Sequence, residues 1–200
     1  MEFNGTFELD GVTAEEAWLA LSDPVLVKQA LPGCQFLVRV DDPDDVDFDG
    51  LAEEAAAAAD EPAVLPEADP EDVLGRAFEA GASYAAVMEV GVGSVKPTFR
   101  TVVTIESRDY PEMRASGEGS ASNSSFEMEA GMTLAETDDG VAIEWWAESD
   151  VFGRIAQMGQ RVLNPVANQV VNRFFKRVQS QLAELDEGDA RLRDRIRGLL

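Results

Sequence analysis

The chain has 200 residues, 45% of them apolar, and sets 39 acids against 16 bases for a formal net charge of −23. That length fits one ordinary domain with a core of its own, and a surface so negative repels phosphate backbones, which excludes a nucleic-acid role. The chain has no histidine, which removes imidazole metal ligands, a histidine base and Ser-His dyads.

The bases are 13 Arg and 3 Lys. An acidic, lysine-poor, alanine-rich chain resembles cytosolic proteins of salt-in halophiles, where salt screens self-repulsion. One cysteine, Cys34, excludes an internal disulfide and points to a reducing cytosol. No apolar run reaches 18 residues, so no span of a bilayer is expected. "MEFNGTFELD" lacks the basic and apolar regions of a signal peptide. The expected location is cytoplasmic, or peripheral at the inner face of the membrane.

In chain order, "EFNGTFEL" alternates as a half-buried strand, with Phe3, Phe7 and Leu9 on one face. Thr13 and Glu16 form a capping-box pattern opening a helix that buries Trp18 and Leu21. Asp23-Pro24 starts a second short helix, and "LPGC" stops it. "QFLVRV", residues 35–40, reads as a strand running into an acidic block. Residues 41–72 hold 14 acids and no base, and almost no bulky apolar residue. Such a composition cannot fold alone and predicts a surface insertion over 41–80, with a short helix at 50–59.

"SYAAVMEV" resumes the alternation, with Tyr84, Ala86, Met88 and Val90 on one face. "EVGVGSVKPTFR" has two glycines before Lys96, which raises the question of a phosphate loop. A dinucleotide fingerprint needs a third glycine where Lys96 stands, and a Walker loop needs one where Val95 stands. Strand-like alternation on both sides makes the stretch a turn between antiparallel strands. "FRTVVTI" then points Phe99, Thr101, Val103 and Ile105 inward. "EMRASGEGS" is a weaker strand. "SFEMEAGMTL" sets Phe126, Met128, Met132 and Leu134 opposite Glu127 and Glu129, and "VAIEWWAE" sets Val141, Ile143 and Trp145 opposite Glu144, Trp146 and Glu148. A long helix is predicted over about 153–185 from Ile155, Met158, Val162, Val166, Val170, Phe174, Val178 and Leu182. Pro165 should kink it or start a fresh turn, with Asn164 available as a cap. An antiparallel sheet with one apolar face and a helix to cover it is an α+β solution.

"MEFNGTFEL", "DPVLVKQALPGC", "VGVGSVKPTF", "SGEGS" and "FGRIAQMGQRVL" resemble, in that order, segments of the CoxG family of carbon monoxide dehydrogenase subunits. That family lies within the START-like, helix-grip superfamily of polyketide cyclases, lipid-transfer domains and plant pollen allergens. The resemblance covers about 140 of the 200 residues, and the acidic insertion and Pro165 depart from it. It implies a curved antiparallel sheet gripping the C-terminal helix, with an apolar cavity between, over residues 1–185. It further implies a non-catalytic accessory protein of a molybdenum hydroxylase, which binds a quinone such as menaquinone, or a lipid, and recruits the enzyme to the membrane. The molybdopterin, flavin and iron–sulfur clusters would belong to the partner, and no cofactor is expected here.

The inward-facing set then gives candidate cavity residues: Trp18, Tyr84, Met88, Phe99, Val103, Phe126, Met128, Met132 and Trp145, with Ile155, Met158, Val162 and Phe174 from the helix. Thioethers and aromatics suit an adaptable apolar pocket and equally a filled core. Cys34 lacks a base and reads as a small buried residue. Glu127 with Glu144 reads as part of a solvated face rather than a catalytic pair. Trp146, between two glutamates on the outer face, is a candidate partner contact.

The tail, residues 186–200, places Leu192, Ile196 and Leu199 at helical spacing among Arg191, Arg193, Arg195 and Arg197. A basic amphipathic helix can lie on an anionic membrane or dock on an acidic partner, and a simply packed end fits the pattern as well. Arg191, Arg193, Ile196, Arg197 and Leu199 are the candidate contacts. Two other classes compete with the carrier reading. A cyclase or dehydratase would need convergent polar groups inside the cavity, where only Tyr84 and Thr101 are available. A ligand-free interaction module would act through the tail and the insertion.

Overall fold

The computed structural model describes residues 1–58, 61–91, 96–183 and 190–199. Strand β1 (Glu2–Asp10) leads into α1 (Ala14–Ser22). The Thr13 hydroxyl accepts the Glu16 N–H at 3.2 Å, and Glu16 Oε2 accepts the Thr13 N–H at 2.8 Å. This reciprocal cap satisfies two donors that a helix start leaves orphaned. Asp23 closes α1 and caps α2 (Pro24–Ala30) by accepting the Val25 N–H, with Pro24 at the first helical position. Gly33 then turns the chain at φ +77°, where a Cβ would fall 2.1 Å from the Glu89 carbonyl oxygen. Only glycine fits there.

After β2 (Cys34–Val40) come α3 (Phe48–Ala57), α4 (Pro70–Gly75), β3 (Ser83–Glu89), β4 (Thr98–Asp109), β5 (Glu112–Ala121), β6 (Ser124–Glu136) and β7 (Gly140–Gly153). A 3₁₀ turn (Ala156–Met158) precedes α5 (Gln160–Ala183), and α6 (Ala190–Arg197) ends the order. The seven strands form one antiparallel sheet, ordered β1-β7-β6-β5-β4-β3-β2. Helices α1 and α2 carry the chain from one edge strand to the other. Irregular registers between Cys34 and Phe36 and between Ile105 and Ser107 bend the sheet.

The sheet curves around α5, giving an α+β helix-grip fold. Alternation puts Leu9, Leu134, Val141 and Ile143 on the concave face, where Phe175, Val178 and Leu182 of α5 close over them. Phe7 stacks on Phe175 with ring centroids 5.2 Å apart. Each such fully buried side chain contributes about 1.5–3 kcal/mol.

Three expectations change. The acidic block over 41–80 is not wholly a surface insertion. Phe48, Leu51, Ala52 and Ala55 of α3 pack on Phe36, Ala85 and Val87 on the outer face of the sheet. Val64, Leu65, Ala68, Val73 and Phe78 enter the main core. Average composition hides these few apolar residues, which sit where helices and turns can present them together. Arg76 forks onto the buried Asp23 carboxylate at 2.9 and 2.6 Å and ties the segment to the α1–α2 junction. Second, the last helix starts after Gly159 (φ +73°) rather than at about 153, and it continues past Pro165 instead of restarting there. Third, Ile196, expected as a surface contact, is fully buried and Leu192 packs against the core, in keeping with the packed-end reading of the tail. Among the described residues, no helix is long and apolar enough to cross a membrane.

Candidate functional site

Burial changes along α5. Phe175, Val178 and Leu182 are sealed, whereas Leu163, Ala167, Val171 and Phe174, nearer its start, are only half-buried. The sheet beneath follows the same gradient. Ile105, Met113, Leu134, Val141 and Ile143 are sealed, while Phe99, Val103, Phe126, Met128 and Trp145 keep solvent exposure. Two apolar surfaces incompletely covered at the same end, one on α5 and one on the concave face, define the candidate cleft.

The floor of this cleft is lowered by glycine. On β5, Gly117 lies opposite Met128 and Gly119 opposite Phe126. A Cβ on Gly119 would lie 2.7 Å from the Phe126 ring and 2.8 Å from the Arg100 carbonyl oxygen. The missing side chain lets that ring lie down on the sheet, edge-on to Phe99 at 5.9 Å between centroids. At the mouth a recess of about 240 Å³ opens between Pro97, Ala121, Asn123, Arg154, Ile155 and Met158.

A seven-stranded antiparallel sheet curved around one long helix is an arrangement shared with known proteins. The profile of the carbon monoxide dehydrogenase CoxG family matches residues 77–183, more than half of the chain. The chain belongs to the CoxG family. The family is that of an accessory subunit. A conserved protein from Geobacillus kaustophilus has the same fold at a TM-score of 0.65 and 22% identity, over 92% of this chain and 96% of that one. A protein from Thermus thermophilus matches at 0.57 and 10% identity, over 94% and 100% of the two chains. One from Chromobacterium violaceum matches at 0.52 and 14%, over 94% and 99%. At such identities the likeness concerns the fold alone. Among curated proteins there is no match.

On the concave face of the candidate cleft lie the half-buried Phe99, Val103, Phe126, Met128 and Trp145, with Met132 and Phe174 packed against the core. Met88 is half-buried opposite Phe99. Trp18 and Tyr84 are not cleft residues. Trp18 is buried in the core, edge-on to Tyr110 and under the Arg108 guanidinium at 5.6 Å. Tyr84 is buried against Phe78, and its hydroxyl accepts the Glu79 N–H at 3.1 Å.

On the helix side, Ile155 and the partly exposed Met158 line the mouth, and Val162 faces solvent. The reason is geometric: each i+4 step overshoots a full turn by about 40°. From Val178 back to Val162 the error reaches about 160°, the opposite side of the helix. The true inward line holds Asn164, Ala167, Val171, Phe175 and Val178. Asn164, which the sequence offered as a cap, is therefore a polar residue on the apolar face. Its Oδ1 is sealed from solvent and accepts no hydrogen bond from the described residues.

Few other polar groups reach the cleft. Thr101 is buried on the concave face opposite Gly119. Cys34 donates to the Phe36 carbonyl at 3.3 Å, and burial pushes its thiol up to about 11, with Lys28 pulling the other way. A thiol held protonated is a poor nucleophile. Among the described residues, no group of three or more His, Cys, Asp or Glu is placed to hold a metal. Glu127 pairs with Asp150 in register, and Glu144 sits six residues further along β7. That separation is about 20 Å, too far for a catalytic pair. A recess of about 700 Å³ on the outer face is lined by Glu2, Glu118, Glu127, Glu129, Glu148 and Asp150, a solvated acidic surface.

Of the candidate contacts, Trp146 is half-buried on the outer face, its indole lying over Gly131. In the tail, Ile196 is in the core, Arg193 pairs with Glu16, Arg197 is exposed and Leu199 is half-buried. The Arg191 side chain and the "VGSV" stretch of the glycine turn lie outside the described residues.

Proposed function

We propose that the chain is a non-catalytic carrier that holds a hydrophobic molecule, a quinone or lipid, in the cleft. In this reading it links a molybdenum hydroxylase of the carbon monoxide dehydrogenase type to the inner face of the membrane. One observation carries the ligand reading: both walls of the cleft are apolar and both are only half-buried. Exposed apolar surface costs roughly 25 cal/mol per Å², which an apolar guest recovers. The flexible Met128 and Met132 side chains suit guests of varying shape.

The membrane contact is assigned to the mouth rather than the tail. Phe152, Met158 and Val162 are exposed at 53%, 36% and 42%, beside Arg154 and Arg161. Residues 151–183 carry five bases and no acid, in a chain with 39 acids. An apolar cluster ringed by bases suits an anionic lipid surface, and a water-insoluble guest can then enter without crossing water. The hydroxylase link rests on the family alone.

The test is organic extraction of protein purified from its native host, with mass spectrometry of what co-purifies. A stoichiometric quinone or lipid supports the carrier. An empty protein that also takes up no added menaquinone would leave a ligand-free interaction module.

A further inference from the structure

The recess at the mouth stands out by its charge. Among its described lining residues are two bases, Lys96 and Arg154, and no acid, in a chain with 39 acids and 16 bases. Both side chains are exposed, and Arg154 makes no ion pair with the described residues. Lys96 reaches Glu89 at 3.8 Å, an attraction between exposed groups that is worth little. Ser122, Asn123 and Ser124, at the turn from β5 to β6, add neutral polar groups. The Ser124 hydroxyl accepts the Ile155 N–H at 2.9 Å, which leaves its own proton for a further acceptor.

The recess is continuous with the concave face. Pro97, Ala121 and Ser124 each stand two residues along the chain from Phe99, Gly119 and Phe126. A strand period of two keeps each pair on one face, about 7 Å apart. The Val90 N–H donates to the Pro97 carbonyl at 3.1 Å, so the β3–β4 ladder reaches as far as Pro97. The recess is therefore the polar end of the row that holds Phe99 and Phe126. Its volume of about 240 Å³ falls below the roughly 300–1,000 Å³ of whole-ligand pockets, which suits a head group whose tail lies along that row.

We infer that the recess holds the phosphate head of an anionic amphiphile, whose apolar tail runs over Phe126 and Phe99 into the cleft. The inference rests on the carrier reading above and narrows its guest, since an uncharged quinone would leave both bases unused. A phosphate fits the set: the Arg154 fork can meet two of its oxygens, Lys96 adds a point charge, and the turn supplies neutral donors. A net charge of −23 repels such a head, so a lining without acids is what its admission requires.

Octyl phosphate and octanol, the same chain with and without the anionic head, give the test by calorimetric titration of the full-length protein at one ionic strength. Wild type should bind both. In Lys96→Gln/Arg154→Gln the affinity for octyl phosphate should fall about tenfold or more, through loss of charge-assisted hydrogen bonds. Octanol, held by its tail alone, should stay within about twofold and so report an intact fold. Arg173→Gln/Lys176→Gln, which removes two charges further along α5, should leave both affinities within about twofold, since exposed distant charges are screened. Inorganic phosphate should not displace octyl phosphate. An octyl phosphate affinity that survives in the recess variant overturns the head site, and so does an equal loss in the α5 variant. Joint loss of octanol and octyl phosphate also overturns it, because the two side chains would then shape the mouth rather than hold a head. Displacement by inorganic phosphate would make the recess a free-anion site and overturn the amphiphile. If wild type binds octanol but not octyl phosphate, the carrier reading stands and the head site falls. If it binds neither, the carrier reading itself fails.

Discussion

Arg193 Nε lies 3.0 Å from Oε1 of Glu16, a carboxylate with no solvent exposure. The same guanidinium donates to the Gly11 carbonyl at 3.0 Å, and Arg195 Nη2 donates to both Asp69 carboxylate oxygens at 2.6 and 2.8 Å. Helix α6 is thereby clamped across α1 and α4, with Ile196 pressed into the core. Arg193→Ala strands a buried carboxylate and should cost about 2–4 kcal/mol in urea unfolding. Arg197→Ala, on the exposed side, should stay within about 0.5 kcal/mol. Equal effects of the two would mean that the clamp contributes nothing.

Gly119→Val should disturb the cleft floor. Its added carbon meets both the Phe126 ring and the Arg100 carbonyl, so ring or backbone has to move. Such overpacking costs about 1–3 kcal/mol. Thermal melting should drop, and binding of the fluorescent probe anilinonaphthalene sulfonate should weaken. Gly75→Ala, where an added carbon meets nothing within 4 Å, is the control for the clash.

The mouth should govern contact with lipid. In flotation with vesicles of phosphatidylglycerol and phosphatidylcholine, Met158→Glu/Val162→Glu should reduce association by about tenfold or more, by inserting charge into the apolar cluster. Arg154→Glu/Arg161→Glu should weaken it mainly at low salt, since added salt screens exposed charges. Leu199→Glu in the tail should change it little. The reverse order of effects would move the membrane contact to α6.

Cys34 gives a pH dependence. Its ordinary value of 9.0 is pushed up to about 11, first by burial. Alkylation by iodoacetamide at pH 8 should therefore run about a hundredfold slower in the folded chain than in the unfolded one. Between pH 9 and pH 11 the unfolded thiol ionises while the folded one stays protonated, so stability should fall as pH rises through that window. Cys34→Ala should reduce that slope in urea titrations, leaving the part due to Tyr110, which burial also raises. A thiol that alkylates at the unfolded rate would show that burial does not protect it.

The strand faces were legible because a period of two leaves one register to choose, and Phe126, Met128, Leu134, Val141, Ile143 and Trp145 share a face as their spacing implies. The Thr13–Glu16 cap and the Asp23-Pro24 start were legible because capping chemistry is local. Helix α5 was legible as a helix but not in its facing. Steps of four residues accumulate error over several turns, so the spacing alone puts Val162 in the cleft, although it faces solvent. The acidic block misled through its average, since Val64, Leu65 and Val73 are few among many acids yet reach the core.

The sequence by itself determined the order of the strands, the first two helices and the long last one, the apolar face of the main strands, the capping of the first helices and the ordered motifs that resemble the CoxG family. These depend on neighbours within a few residues, or on a pattern repeated along the chain. Only the tertiary structure decided that the tail docks on Glu16, that Trp18 and Tyr84 belong to the core, and that burial thins toward the start of α5. Each of those depends on which distant surfaces meet and how completely they close, and burial of that kind is a property of two elements together.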